Sequence, residues 1–200
     1  MSDYMTGAEL QTLREGCGLS REDLAGLCGV QARTVKHWEN GRSGVPGDVA
    51  DLARRIDGAV TTASAQGLRQ VQELAQRTGA VPAYLVLLRY DERDAVRYQV
   101  RQQFASLGNM TGWQAAAIHS AIVNRLRLLI GTAPGLAAVA VRIVWMRSED
   151  YEAWRSAQGM EDNEATRAAW ATGQVDKQAA AHRADQPPAQ APGAAGGGMC

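Results

Sequence analysis

The sequence predicts a mainly α-helical protein with a small β component. Apolar residues recur every three or four positions through most of the chain, which is typical of amphipathic helices. Two short segments near positions 84–90 and 137–146 are instead rich in Val and Leu and are predicted as strands. A glycine also separates two short helical segments near the N-terminus. Two hundred residues are enough for one or two small domains built from these elements.

The first helix is predicted over Gly7–Cys17. Thr6 precedes it as the N-cap, and Glu9 follows three positions later, which is the spacing of a capping box. Leu10 and Leu13 form the apolar face of this helix.

The segment from Gly18 to Pro46 has the pattern of a helix-turn-helix. Ser20 is placed to cap the first of its two helices, and Gly29 stands where the chain must turn with a positive φ. The second helix is predicted over Gln31–Glu39. Its inward stripe contains Val35 and Trp38, so Trp38 is expected in the core, and Asn40-Gly41 ends the helix.

The outer face of this second helix carries the chemistry that reads DNA. Gln pairs with adenine and Arg with guanine, whereas Lys contacts phosphate. Any three-helix bundle has such a face, so the pattern alone leaves a purely structural interpretation open. The residues on the outer face are Gln31, Ala32, Arg33, Lys36 and His37.

The segment LREGCGLSREDLAGLCGVQARTVKHWENGR resembles the Cro/Xre family of helix-turn-helix repressors over roughly residues 6–46. That resemblance implies an N-terminal lambda-repressor-like helix-turn-helix bundle. It rests on Leu13, Arg14, Gly18, Leu19, Ser20, Leu24, Ala25, Gly29, Val30, Val35, Trp38, Glu39, Asn40, Gly41 and Arg42.

The continuation WENGRSGVPGDV is similar to the anti-CRISPR-associated (Aca) regulators, in which a Trp-Glu-x-Gly-[Arg/Lys]-x-x-[Val/Ile]-Pro run leads into a long helix. Two later segments, LLRYDERDAVRY and NMTGWQAAAIHSAIVNRLRLL, resemble the C-terminal half of those regulators through element order and a few residues. The resemblance implies a C-terminal α+β dimerisation unit. Its few matching residues are Arg89, Tyr90, Gly112, Trp113 and Ser120.

The remaining elements follow from periodicity and turn residues. The stretch Asp48–Arg77 is helical in pattern and is predicted as one bent helix or two. The other predicted elements are a strand at Tyr84–Tyr90, helices at Asp91–Ser106 and Trp113–Leu129, a strand at Ala137–Met146, and helices at Ser148–Gln158 and Glu161–Thr172. The second strand can pair with the first within a subunit or across a dimer. Ser148 is predicted to cap the helix that begins there.

These elements predict four regions. Residues 1–58 form the helix-turn-helix domain, 59–82 a connecting helix, and 83–175 the α+β dimerisation domain. Residues 176–200 are mostly Ala, Gln, Pro and Gly and are predicted to be disordered, because they bury too little apolar surface to offset ordering.

A homodimer interface is expected on the Trp113–Leu129 helix. Its apolar face is broad, which indicates contacts on two sides, and a second subunit is the natural second contact. Trp113, Ile118 and Ile122 of this helix, together with Tyr90 at the end of the preceding strand, are predicted at the dimer interface.

Charge and composition limit the functions that the protein can have. The chain has 21 basic and 21 acidic residues, so bulk charge does not drive nucleic-acid binding. Residues 1–58 are slightly acidic, whereas residues 59–146 carry nine basic and four acidic residues. No apolar run has the length of a membrane span, and no secretory signal is visible, so a reducing cytoplasm is expected.

Signals of enzymes, metals and cofactors are weak. The three cysteines, Cys17, Cys28 and Cys200, have no metal-ligand spacing, and Cys17 and Cys28 are expected to be buried. No phosphate-binding glycine loop is present. We therefore expect no enzymatic activity, no cofactor and no metal.

The sequence predicts a homodimeric transcriptional repressor of a phage or mobile-element operon that binds double-stranded DNA at a palindromic operator. Gln31, Ala32, Arg33 and His37 are expected to contact bases. Arg21, Thr34, Lys36, Asn40 and Arg42 are expected to contact phosphate, with local capping an equal alternative for Thr34 and Asn40.

Three alternatives stay open. The chain could be an antitoxin whose residues 137–200 bind a toxin, or an interaction module that has lost DNA binding. The basic middle segment also leaves mRNA open as a partner.

Overall fold

The computed structural model describes residues 4–184 as a helical protein with one small sheet. The α-helices are α1 (Gly7–Gly16), α2 (Arg21–Cys28), α3 (Ala32–Glu39), α4 (Gly47–Thr78), α5 (Glu92–Arg97), α6 (Gly112–Thr132), α7 (Ser148–Ala157) and α8 (Glu164–Ala184). The strands are β1 (Tyr84–Arg89) and β2 (Ala140–Trp145), and a 3-10 helix spans Val100–Leu107. The predicted fold class is confirmed.

The two N-terminal caps form as predicted. The Thr6 hydroxyl accepts a hydrogen bond from the Glu9 N–H, and the Glu9 carboxylate accepts one from the Thr6 N–H, at 3.2 and 2.7 Å. Ser20 caps α2 in the same way with Asp23. Gly29 then turns the chain with φ 66°, in the left-handed region where glycine pays no steric penalty.

The first three helices and the start of α4 enclose one core. Trp38 is 7% exposed and packs there, as predicted from its position on the inward stripe of α3. The core residues are Met5, Leu10, Leu24, Ala25, Val35, Trp38, Val49, Ala50 and Ala53.

Helix α4 is a single helix of 32 residues, which resolves whether this stretch forms one helix or two. Its interior glycine Gly67 lies against α6, where an added Cβ would stand 2.8 Å from Leu126 Cδ2. This glycine, which lowers helix propensity, therefore lies where α4 packs closely against α6. Because α4 contributes Val49 to the N-terminal core and Val60 to the second core, it links the two halves.

The two strands pair in parallel within one chain, with Tyr84 opposite Ala140 and Arg89 opposite Trp145. On one face of the sheet, Val141 packs with α4 and α6 residues. On the other face, Val144 packs in the second core, which contains Tyr151 and Trp170. The sheet thus lies between helices, as parallel strands require.

The predicted helix Asp91–Ser106 is wrong in its second half. Helix α5 ends at Arg97, and Gln99 adopts φ 58° before the 3-10 helix begins. The break lets the chain reverse locally and bury Val100 and Phe104, which tertiary packing favours over continuous helical periodicity.

Two expectations near the C-terminus also need correction. Ser148 does not cap α7, because the N-cap position belongs to Arg147 and Ser148 is buried against Asp94. Helix α8 begins at Glu164, after Asn163, whose side chain accepts from the Thr166 N–H at 2.9 Å.

The predicted disordered tail is wrong for residues 176–184, which continue α8 to Ala184. Alanine has the highest helix propensity, so an Ala-rich segment extends a helix that is already nucleated. Tyr84 Oη also donates to the Asp176 carboxylate at 2.7 Å. Residues 185–200 of that prediction lie outside the described residues. Within residues 4–184, no helix combines the length and the apolar character needed to cross a membrane.

Candidate nucleic-acid interface

Helix α3 presents a polar face on the surface of the N-terminal core. Val35 and Trp38 anchor it inside, and the side chains of Arg33, Lys36 and His37 are exposed on the outer face. A helix of eight residues fixed by two buried side chains and carrying cationic outer residues has the form of a recognition helix.

The start of α3 is open for contacts. Gln31 occupies the N-cap position, yet its side chain makes no capping hydrogen bond and is exposed. Its amide therefore keeps both donor and acceptor groups for an external partner. Ala32 and Thr34 are half-buried, so they are the least accessible of the residues predicted on this face.

The loop that follows α3 adds another exposed basic side chain, that of Arg42. Asn40 is the C-cap residue, and Gly41 follows with φ 69°. The Arg42 N–H donates to the His37 carbonyl at 2.9 Å, so the turn holds Arg42 beside the last turn of the helix. Asn40 and Arg42 are both exposed there.

A buried ion network fixes α3 to the two preceding helices. Glu39 has no exposed side-chain surface, and its two oxygens accept from Arg14 Nε and Arg21 Nε, each at 2.6 Å. Arg14 also donates to the Leu19 carbonyl at 2.7 Å. Charge-assisted bonds at these distances are strong, so the network holds the outer face of α3 in one orientation.

Arg21, predicted to contact phosphate, also takes part in this network. Its Nε is committed to Glu39, although its side chain remains 37% exposed. A guanidinium has five donors, so its outer N–H groups can still bind phosphate. The pKa of Arg21 is raised, chiefly by the hydrogen bond to Glu39 and by the charge of that carboxylate.

The acidic balance of the N-terminal module does not oppose anion binding at α3. Its acids are largely committed elsewhere: Glu39 is buried between two arginines, while Asp23 and Glu9 complete capping boxes. The only acid within α3 is the buried Glu39. The outer face of α3 is thus locally basic.

The predicted cysteine burial is confirmed for Cys17, which is 1% exposed, whereas Cys28 is half-buried. Burial raises the pKa of the Cys17 thiol to about 11, so it stays protonated at neutral pH. Across residues 4–184, no group of three or more His, Cys, Asp or Glu residues comes together in an arrangement that could hold a metal ion.

The structure separates the four residues predicted at the dimer interface. Tyr90 and Ile118 are buried in the second core, 8% and 0% exposed, because α6 packs on its own chain from both sides. Ile122 is half-buried beside them. Of the four, Trp113 alone is well exposed, at 58%, and its side chain is accessible to a second subunit.

An open groove of about 490 Å³ runs between the N-terminal module, α6 and the end of the sheet. Trp113, Leu128 and Trp145 line its apolar part. Arg89 crosses it: its Nε donates to Ser120 Oγ at 3.0 Å, and its guanidinium lies 4.8 Å from the centroid of the Trp145 ring.

Two functional contacts escape prediction from the sequence. Glu39 binds Arg14 from 25 positions away, and Gln114 Nε2 donates to the Asp23 carbonyl from 91 positions away at 2.9 Å. Local periodicity and capping rules carry no information on pairs so distant in the chain. The charge of Glu39 on the last turn of a helix, where a cation is favoured, is the one local hint.

Comparison with protein-family models finds a helix-turn-helix domain at residues 6–59. This range contains α1 to α3 and the first turns of α4, with the whole exposed face of α3. No curated protein matches the chain. The helix-turn-helix domain supports a DNA-binding regulator.

Proposed function

We propose that this protein is a sequence-specific transcriptional repressor that binds an inverted repeat as a homodimer. The observation that carries the proposal is the exposed outer face of α3, which is locally basic and held in one orientation by Glu39. In a helix-turn-helix protein, that face enters the major groove.

The residues divide by chemistry. Gln31 and Arg33 have the bidentate groups that read adenine and guanine, and His37 lies one turn further along the same face. Ala32 contacts at most a thymine methyl group. Contacts to phosphate, which position the helix without reading sequence, are made by Arg21, Thr34, Lys36, Asn40 and Arg42.

Repression is steric. Two recognition helices related by a two-fold axis enter successive major grooves, about 34–36 Å apart, and cover a promoter against polymerase. The resemblance to Aca regulators supports a phage or mobile-element operon as the target of repression. The gene of the repressor itself belongs to that operon, so the protein regulates its own expression.

The test is a gel shift of the full chain with DNA from upstream of its own gene, beside a scrambled duplex, at two salt concentrations. Tight, salt-sensitive binding to the upstream DNA alone is expected, because phosphate contacts release counterions. Equal binding to both duplexes, or none, contradicts self-repression. RNA transcribed from the same region is run in parallel as the alternative ligand.

A double variant, Arg33→Ala with Lys36→Ala, tests the recognition face. We expect at least about tenfold weaker binding, loss of discrimination at the base that Arg33 reads, and a salt dependence reduced by about one phosphate contact, that of Lys36. The matched control is Arg69→Ala with Arg127→Ala, which removes two exposed charges from α4 and α6. If the α3 variant binds like the wild type, α3 does not read DNA and an interaction module is favoured.

A second candidate is an antitoxin, favoured by the exposed apolar side chains Trp113, Leu128 and Trp145. An antitoxin would bind DNA through α3 and a toxin through its C-terminal half. Coexpression with the neighbouring gene tests this: a stable stoichiometric complex, together with toxicity of the neighbour alone, favours the antitoxin.

A further inference from the structure

The outer edge of β2 is open among the described residues. The sheet contains two strands, and β2 is hydrogen-bonded to β1 alone. Helix α6 packs on β1, and α8 packs on both strands, mainly on β1. All β1 residues are half-buried, whereas four of the six β2 residues are exposed. A two-stranded sheet with one bare edge is marginal by itself and offers a template for another strand.

The hydrogen bonds show which backbone groups face that edge. The Ala140 N–H donates to the Ala83 carbonyl at 3.3 Å, and the Met146 N–H donates to the Arg89 carbonyl at 2.8 Å. Because backbone groups alternate along a strand, the even-numbered residues face β1. The N–H and C=O groups of Val141, Ile143 and Trp145 therefore point to the open edge.

The side chains of the same three residues share one face of the sheet. Val141 is half-buried there, but Ile143 is 40% exposed and Trp145 is 49% exposed. The exposed Trp113 and Leu128 of α6 line the groove that Trp145 borders. Apolar surface therefore adjoins the open edge.

The edge lacks the usual protection against strand pairing. Natural edge strands carry Lys, inward charges, Pro or bulges that prevent association. The sequence of β2, AVRIVW, has no Pro, Lys, Asp or Glu, and its single charge is Arg142. Such a strand is suited to pair with another.

We infer that β2 pairs with β2 of a second copy of this chain, antiparallel about a two-fold axis, with Ile143 opposite the partner's Ile143. This inference rests on the proposed homodimer and names its interface. The result is a four-stranded sheet, β1-β2-β2-β1, that spans both subunits.

The register follows from the outward groups. A two-fold axis makes strand pairs antiparallel, and centring it on Ile143 places Val141 opposite the partner's Trp145. All three outward-facing residues of each strand are then bonded. Centring the axis on Arg142 or Val144 would still bond outward groups to one another, but it would leave Trp145 or Val141, respectively, beyond the end of the partner's β2. The axis on Ile143 is the one that bonds all three.

The same register suits the side chains. Trp145 is covered by the partner's Val141, a pairing of an aromatic with a β-branched residue that stabilises sheets. Arg142 lies opposite the partner's Val144 on the other face, so the two arginines are not directly opposed. A second copy therefore complements this edge in backbone groups and apolar side chains, and it places no like charges directly opposite each other.

The first experiment measures the mass of the full chain by light scattering over a concentration series. Ile143→Lys puts two like charges opposite each other on the axis. The β1–β2 hydrogen bonds remain, because on β2 they use the even-numbered residues. We expect the dimer dissociation constant to rise at least about tenfold. Arg127→Lys, an exposed α6 control with the same charge, should leave it unchanged.

The second experiment tests register in a Cys200→Ser background. Ile143→Cys places two thiols on the axis, where the Cα atoms of a bonded antiparallel pair lie about 5.5 Å apart, within disulfide range. Mild oxidation should give a covalent dimer. Arg142→Cys is the matched control, because its nearest partner copy lies diagonally, about 7–8 Å away, and should not cross-link.

The outcomes separate the interface from the function. A wild-type dimer in which Ile143→Cys does not cross-link overturns β2 pairing but leaves a repressor dimer with another interface. A monomeric wild type that still binds upstream DNA overturns this inference and the homodimer, while DNA binding stands. Failure of DNA binding with intact Ile143 cross-linking refutes the proposed function alone. A strand of another protein on the edge of a monomeric chain also overturns the inference.

Discussion

The two halves of the chain leave opposite kinds of surface exposed. Between residues 5 and 59, no large apolar side chain is exposed, and the open face of α3 is polar and basic. In the C-terminal half, Trp113, Leu128, Ile143 and Trp145 are between 40% and 60% exposed. The N-terminal module has thus satisfied its apolar groups within the chain and offers charge, whereas the C-terminal half still has apolar surface to bury.

That difference matches a division of labour. Nucleic acids are bound through charge and hydrogen-bonding groups, and protein subunits through buried apolar centres. A single exposed apolar residue needs no explanation, but four around one groove and one strand edge do. The basic face of α3 and the apolar surface of the C-terminal half are physically separate, so each can be altered without the other.

The largest expected effect comes from the ion network in the N-terminal module. Glu39→Ala leaves Arg14 buried without its carboxylate, which costs about 3–5 kcal/mol of unfolding free energy. Urea denaturation followed by circular dichroism measures the loss. If the signal splits into two transitions, the two halves unfold separately; a single shifted transition shows that α4 couples them.

Glu22→Ala is the matched control, since Glu22 is exposed on α2 and should change the unfolding free energy little. A loss below about 1 kcal/mol for Glu39→Ala would show that Arg14 relaxes to solvent. In that case the network does not hold α3 in place.

The next effect concerns the contact that joins the halves. Gln114 Nε2 donates to the Asp23 carbonyl on α2, and its Oε1 accepts from the Thr111 N–H, both at 2.9 Å. Gln114→Ala removes both hydrogen bonds, each worth about 0.5–1.5 kcal/mol, and should lower the unfolding free energy by about 1–3 kcal/mol. Gln103→Ala, at an exposed position, is the control. Equal stability of the two variants would mean that the halves touch without coupling.

The division between the halves also marks what the sequence predicts. Thr6, Ser20 and Gly29 mark helix ends by their local chemistry, so the sequence predicts the ends of the N-terminal helices within a residue or two. The outer face of α3 follows from the same periodicity. Local rules are sufficient for these helix ends because each cap involves residues close in the chain, whereas the bond from Arg14 to Glu39 spans 25 positions and escapes them.

In the C-terminal half, long-range contacts decide the structure. The break at Gln99 follows from burial of Phe104, and β1 pairs with a strand some 50 residues later. Tyr90 and Ile118 are apolar in pattern whether they face their own core or a second subunit. Periodicity tells which residues are buried but not against which partner, and Tyr90 and Ile118 are buried within their own chain.

A smaller effect concerns pH and the second core. Burial, and then the charge of Arg89, lowers the pKa of His119 to about 4, below the ordinary value of 6.5. Between these values the unfolded chain binds a proton that the folded chain does not, so stability falls as pH decreases from about 6.5 to about 4. Nδ1 of His119 has no hydrogen-bond partner among the described residues, and the ring lies 5.0 Å from that of Tyr90.

His119→Phe should flatten this dependence by about 1–2 kcal/mol between pH 7 and pH 5, and keep the edge contact with Tyr90. Thermal unfolding at the two pH values measures it. An unchanged slope would mean that the imidazole is already charged in the folded core, in conflict with its burial.

The smallest effect compares two glycines in α4, the helix shared by both halves. Gly58 has open space where a Cβ would stand, so Gly58→Ala should stabilise the protein by about 0.5–1 kcal/mol through helix propensity. Gly67→Ala gains the same propensity but forces Leu126 to move, because the new Cβ would stand 2.8 Å from its Cδ2. Thermal unfolding should therefore rank Gly58→Ala above the wild type and Gly67→Ala below Gly58→Ala. Equal stabilisation by both would show that Leu126 repacks freely, and that the contact between α4 and α6 is looser than the contacts that orient α3.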